Sequence, residues 1–195
     1  MTIITGDGVY RDTDYEVPAS TNTQGVNIFN NLSTAATPVV YKGHVTWRPK
    51  NTNGLMYMRM YDENDVQFQL RGLMRTSYQN TEISYSQSDS QTYMYLQRYF
   101  ATTSTSFVPA SITFTWICMR RNGKAYPVFL ADCNWVYSSS YIMSSHVALI
   151  AHHPSSTTLM PRKITFWLQP LSGVTAYYGE GSSFSMWRHS ELGTF

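Results

Sequence analysis

Apolar and polar residues alternate with a period of two along much of this chain. Val39 to Arg48 is the cleanest case: Val39, Tyr41, Val45 and Trp47 fall on one face, and Val40, Lys42, His44, Thr46 and Arg48 on the other. Such alternation predicts a half-buried strand. From Ile112 to Cys133 two apolar runs flank Asn122-Gly123. A type I′ turn needs positive φ at both central positions, which Asn-Gly accepts at least cost, so the pair predicts a two-residue hairpin. The turn fixes the register. Arg121 then faces Lys124, Cys118 faces Pro127, Trp116 faces Phe129, Phe114 faces Ala131 and Ile112 faces Cys133. Paired residues share a face, so one side of the hairpin is almost continuously apolar and is expected to be core. The other side, with Thr113, Thr115, Ile117, Met119, Tyr126, Val128 and Leu130, is only slightly more polar. It predicts cover by a second layer or a neighbouring subunit.

The same register constrains Pro127 and both cysteines. Pro127 falls on a non-hydrogen-bonded pair, so its missing N–H points away from the first strand. The second strand is therefore expected to be an edge, or bulged, on its outer side. Cys118 lies opposite position 127, and Cys133 is roughly 20 Å further along at about 3.3 Å per residue. A disulfide tolerates a Cα separation of only about 4.4–6.8 Å, so two buried, inert thiols are expected.

Three further pairs of runs read as hairpins or linked strands. Leu55–Tyr61 and Val66–Arg71 flank Asp62-Glu-Asn-Asp65; Tyr57, Arg59 and Tyr61 face Leu70, Phe68 and Val66, and Met56, Met58 and Met60 make a row that reads as adaptable packing. Glu82–Gln87 and Thr92–Phe100 are joined by Ser88–Gln91, with Met94, Leu96 and Phe100 on one face and Tyr93, Tyr95, Gln97 and Tyr99 on the other. Ile164–Gln169 and Val174–Tyr178 flank Pro170–Gly173. Asn134–Tyr141 reads as a loop with aromatic ends, Val147–His152 as a short strand and Phe184–His189 as the last strand. About ten strands at this spacing, with no amphipathic helix, predict an all-β fold: an antiparallel sandwich of jelly-roll type.

Residues 1–38 differ in composition. Asp7, Asp12, Asp14 and Glu16 stand against Arg11, and a polar Ser/Thr/Asn tract follows. They are expected to form an extended N-terminal arm that docks on something such as a neighbouring subunit, with residues 39–195 forming one sandwich domain. Aromatic residues make up 15% of the 195 and charged ones only 13%, which excludes a disordered chain or a charged helical bundle. The net charge of +2 gives no electrostatic reason to expect nucleic acid. No apolar run approaches the ~20 residues of a membrane span. The first residues have neither a basic start nor an apolar core, so the expectation is synthesis in a cytoplasm without a secretory signal.

Candidate chemistry is sparse. No phosphate-cradling glycine loop, G-x-S-x-G or H-E-x-x-H occurs. His152 and His153 are adjacent and point to opposite faces of a strand, while His44, His146 and His189 lack partners at ligand spacing. Asp12, Asp14 and Glu16 alternate, and oxygen ligands suit Ca²⁺, but the segment lacks the loop residues of an EF-hand and reads as a solvated acidic stretch. No pair among the twelve acidic residues is selected by spacing for glycoside hydrolysis. Arg120, Arg121 and Lys124 read as a solvated hairpin tip. No catalytic residue, cofactor or metal is therefore expected.

The most suggestive feature is a Tyr/Ser/Gln-rich composition. Tyr78, Tyr85, Tyr93, Tyr95, Tyr99, Trp135, Tyr137 and Tyr141 combine rigid aromatic area with small polar neighbours, as recognition surfaces do. They could stack on sugars, or lie beneath a second sheet or a neighbouring subunit. With the polar arm, the absent signal and the Ser/Thr/Tyr-rich all-β body without disulfides, the chain resembles tailed-bacteriophage virion proteins of the decoration, tail-tip or fibre-head type. The resemblance spans the whole chain and rests on no single motif. It implies a non-enzymatic homo-oligomer, commonly a trimer, that docks on other virion proteins and contributes to attachment to host-surface glycans. The alternatives are a carbohydrate-binding module and a small β-sandwich glycan hydrolase.

Overall fold

The computed structural model describes residues 3–5, 9–17, 24–29, 39–48, 54–78, 81–100, 110–138, 141–170 and 175–189, with the backbone alone at 3–5, 9–15, 29, 54, 78, 81–83, 85–90, 98–100, 136–138, 141–142 and 189. The described residues contain strands and no helix, and hence no helix long and apolar enough to cross a membrane. The strands are β1 (Ile3–Thr5), β2 (Val9–Glu16), β3 (Gly25–Phe29), β4 (Val39–Trp47), β5 (Gly54–Tyr61), β6 (Gln69–Tyr78) and β7 (Thr81–Gln91). They continue with β8 (Met94–Phe100), β9 (Ala110–Arg121), β10 (Lys124–Ser138), β11 (Tyr141–His152), β12 (Lys163–Pro170) and β13 (Ser183–His189). Two antiparallel sheets result: nine strands in the order β1-β2-β13-β4-β9-β10-β11-β6-β7, and four in the order β3-β12-β5-β8. The all-β sandwich expected from the period-two pattern is the observed fold.

The central hairpin adopts the register that Asn122-Gly123 dictates. Both residues have positive φ, 52° and 75°, and Cys118, Trp116, Phe114 and Ile112 stand opposite Pro127, Phe129, Ala131 and Cys133. Strand β4 adds to β9 with Tyr41 beside Trp116 and Val45 beside Ile112, and buries the alternate set expected of it. Burying Ile112, Phe114, Trp116 and Phe129 contributes at most roughly 2 kcal/mol each. The small sheet closes this core from the other side with Val26, Ile28, Met56, Met58, Met60, Ile164, Phe166 and Leu168, all buried. Phe166 lies 5.7 Å from Phe114 and 6.0 Å from Phe184, so the aromatic contacts cross from sheet to sheet.

Several local expectations are corrected. Strand β10 is interior, not an edge; its ladder with β11 begins at Val128, one residue past Pro127, so on its outer side the missing N–H falls outside the pairing. Residues 134–138 extend β10 instead of forming a loop, because the in–out alternation continues through buried Trp135. The runs around Asp62–Asp65 are not a hairpin: β5 belongs to the small sheet and β6 to the large one. Their contact is one bridge, Tyr61 with Gln67, one residue out of the expected register because the loop closes through an Asp62 N–H to Val66 carbonyl bond. Strands β7 and β8 likewise part into different sheets. Strand β12 pairs with β3 and β5; residues 175–177 are not in a strand, and 171–174 lie outside the described residues. Before Val39 the described strands are extended, and they dock on this chain's own sheets: β2 on β13, and β3 on β12.

Gly43 stands directly opposite Phe114, whose ring occupies the space a side chain would need. A Cβ at Gly43 would sit 2.0 Å from Phe114 Cζ, and that ring is held by stacking on Phe129 at 5.4 Å. Gly43→Ala is expected to lower unfolding free energy by about 1–3 kcal/mol, measured by urea denaturation.

Candidate functional site

The register carries residues from strands far apart in sequence into rows on the outer face of the nine-stranded sheet. One row runs Trp187, Lys42, Thr115, Leu130, Ala148, Leu73 across six strands. The next runs Ser185, His44, Thr113, Asp132, His146, Arg75. On the opposite flank of the first row stand Val40, Ile117, Val128 and Ile150. Leu130 and Ile150 are each 42% exposed, and Leu73 and Met119 each 37%. Between Trp187 and Leu73 the face forms an open trough of about 660 Å³ lined by Lys42, Leu130, Asp132, His146 and Arg75 among others. The exposed apolar side chains are thus contiguous, with a polar rim on one side.

Within the trough His146 Nδ1 lies 2.6 Å from Asp132 Oδ1. The pair joins adjacent strands, which explains why sequence spacing gave no hint of it. Both side chains are about two-thirds exposed, so the pair contributes on the order of 0–1 kcal/mol. Its neighbour Cys133 points to the opposite face and is buried, so no thiol reaches the imidazole. Burial pushes the Cys133 thiol up to about 12 and the Cys118 thiol higher still. Both cysteines are free, as the hairpin register requires. No group of three or more His, Cys, Asp or Glu side chains among the described residues could hold a metal ion.

The outer face of the four-stranded sheet is aromatic. Tyr95 of β8 stands opposite Tyr57 of β5, Tyr57 opposite Trp167 of β12, and Trp167 opposite Gly25 of β3. Trp167 packs across Gly25, where a Cβ would lie 2.3 Å from Cε3. Tyr93 joins this row, 5.5 Å from Tyr57 and 5.3 Å from Tyr95. The Arg59 guanidinium lies 5.0 Å above the Tyr57 ring. Beside it Thr165 Oγ1 donates to Asn27 Oδ1 at 2.7 Å. At the end of the face Lys163 sits 4.5 Å from the Tyr61 ring and pairs with Asp65. Tyr57 is nearly buried by these neighbours, whereas Tyr93, Tyr95, Trp167 and Arg59 stay partly exposed. Burial also raises the Tyr57 phenol above its ordinary value, against the opposing charge of Arg59.

Of the eight residues singled out from composition, Tyr93 and Tyr95 come together here. Trp135 does not; it is 2% exposed and belongs to the core. The side chains of Tyr78, Tyr85, Tyr99, Tyr137 and Tyr141 lie outside the described residues. Gln97, expected on the tyrosine face, is turned inward and fully buried, because an irregularity in the β5–β8 ladder sets Gln97 opposite core residue Met56. Sequence reasoning missed Trp167 and Arg59, which come from strands distant from Tyr93–Tyr99; their polar-side parity on β12 and β5 was the available signal. No family model matches the chain, and no curated protein or solved structure matches it either.

One polar cluster links the sheets at the β5–β6 crossing. Asp62 Oδ1 accepts from the backbone N–H groups of Asn64 and Val66, each at 2.8 Å. The His153 ring faces its other oxygen at 3.3 Å, with both side chains buried. Ser155 N donates to His153 Nδ1, leaving Nε2 as the ring nitrogen that faces Asp62. Burial alone would raise the Asp62 carboxyl, but the two backbone donors and His153 outweigh it and hold the group below its usual range. A carboxyl depressed on folding stabilises the protein above its unfolded pKa, and that stability is lost as pH falls through the folded value. Asp62→Ala is expected to cost about 1–3 kcal/mol at pH 7, and to flatten the loss of stability below pH about 4, in denaturant melts across pH. Native protein is expected to leave both cysteines unmodified by a thiol reagent at pH 8, with both reacting in denaturant.

Proposed function

We propose that this chain is a non-enzymatic structural protein of a virion, of the capsid-decoration or tail-associated kind, that assembles through the outer face of its nine-stranded sheet. The observation that carries this is the contiguous exposed set Leu73, Leu130, Ile150 and Met119, flanked by Ile117 and Val128, on a face that no part of the described chain covers. An exposed apolar patch with a polar rim is the anatomy of a protein–protein interface. The occupant is a further copy of the chain, a trimer being the expected assembly, or another virion protein. The row of Asp132, His146 and Arg75 beside it supplies polar and charged groups that fix orientation more than affinity.

A second reading, a carbohydrate-binding module, is favoured by a different observation: the partly exposed rings of Tyr93, Tyr95 and Trp167 around Tyr57. The two readings are compatible, since the rings and the apolar patch lie on opposite outer faces of the sandwich. A virion protein could assemble with one and attach with the other. For the first reading, native mass measurement at micromolar concentration should show an oligomer of the wild-type chain, and Leu130→Asp with Ile150→Asp should shift it to monomer while strand content is retained. A wild-type monomer that also fails to bind particles lacking it would overturn the assignment.

A further inference from the structure

The aromatic face of the small sheet has a geometry more specific than its composition. We propose that the partly exposed rings of Tyr93, Tyr95 and Trp167, backed by the buried ring of Tyr57 and edged by Arg59, form a binding site for a single soluble oligosaccharide chain laid across strands β8, β5 and β12. The inference rests on the second reading above and sharpens it to a site and a physical form of ligand.

Four observations carry it. First, the row spans four strands, from Tyr95 to Gly25, or about 14 Å at the usual strand spacing, long enough for an extended chain of sugars and not only one ring. Second, a parallel row of hydrogen-bonding groups, Arg59, Thr165 and Asn27, runs beside the rings. Arg59 carries N–H donors beside Tyr57, and the Thr165–Asn27 bond commits the Asn27 carbonyl, leaving the amide nitrogen as that side chain's donor. Sugars present apolar C–H faces edged by hydroxyls, and need both kinds of partner. Third, the charge is wrong for a polyphosphate. Lys163 is already paired with Asp65, so Arg59 is left as the cation beside the rings, far short of a nucleic-acid footprint. Fourth, the rings are not coplanar. Tyr57 and Tyr95 meet at 89°, Tyr93 and Tyr95 at 78°, and Tyr57 and Tyr93 at 56°. Rings so inclined cannot lie together on the flat face of a crystalline polysaccharide, but they can line a twisted, solvated chain.

Gly25 sets the geometry of the row. Because it lacks a side chain, the Trp167 ring can settle across β3 and hold one orientation, and an added Cβ would push it away. Trp167 and Arg59 are therefore the contacts to test, and Gly25 acts by positioning Trp167.

The test probes an array of soluble neutral and acidic oligosaccharides alongside microcrystalline cellulose and chitin powders. For array hits, acrylamide quenching of tryptophan fluorescence follows binding, since Trp47, Trp116 and Trp135 are buried and Trp167 is among the partly exposed tryptophans. The expected result is binding to soluble chains, with Trp167 shielded from the quencher. Arg59→Gln and Trp167→Ala should each weaken binding by about tenfold or more, and Arg121→Gln at the exposed tip of the β9–β10 hairpin, outside both faces, should leave it unchanged. Arg59→Gln removes no ring from the face and so serves if Trp167→Ala does not fold. Binding confined to the crystalline powders would overturn this inference and leave the carbohydrate-binding reading standing. Failure of folded wild-type protein to bind any glycan would overturn both. Binding to soluble chains that ignores Arg59→Gln and a folded Trp167→Ala would place the site elsewhere and overturn the inference.

Discussion

Two residues with positive φ, Asn122 and Gly123, hold the register on which the large sheet depends. Strands β4 and β11 lie on either side of the hairpin they close, and β13 and β6 lie beyond those. One inward row consequently runs Phe184, Val45, Ile112, Cys133, Ser145, Thr76 without a break. Slippage by a single residue would turn Trp116 and Phe129 toward water and Ile117 and Leu130 into the core. Exposing several large side chains at roughly 2 kcal/mol each is comparable to the whole stability of a domain, about 5–15 kcal/mol. Both the trough and the exposed apolar patch are projections of that one turn across the sheet.

The sandwich is unequal. Among the described residues nine strands face four, and none of them covers the outer side of the large sheet. Where the sheets do face each other the fit is close enough for Ser145 Oγ to donate to the Leu96 carbonyl across the gap at 2.5 Å. Closing the inner faces this way leaves two outer faces of different chemistry: aliphatic on the large sheet, aromatic and hydrogen-bonding on the small one. The two can be occupied at once, which is what a protein bridging an assembly and a surface would need.

What could be read from the residues was whatever is decided within one strand or one tight turn. The β9–β10 pairing, the buried set on Val39–Trp47 and the inward methionines of β5 all follow from period two and a single Asn-Gly. What could not be read was which sheet a strand joins. Asp62–Asp65 and Ser88–Gln91 look like hairpin loops by length, yet the chain leaves one sheet for the other at Asp62–Asp65, and Ser88–Gln91 lies within β7, past which the chain crosses to β8 in the other sheet. At the first of these links Asp62 meets His153, a residue remote in sequence. For the same reason the aromatic row was half visible: Tyr93 and Tyr95 stand out by composition, but Tyr57 and Trp167 join them only through neighbours set by the fold. The hydrogen-bonding of Asp132 with His146 was hidden likewise, across a strand pair whose register had not been derived.

Phe114 fills a hole that belongs to the neighbouring strand, so it and Gly43 share one allotment of space. Neither position can drift alone: a larger residue at 43 demands a smaller one at 114, and a smaller one at 114 opens a void that glycine cannot close. In a lineage of such chains the two would change together or not at all, giving a covarying pair with no charge or hydrogen bond between its members.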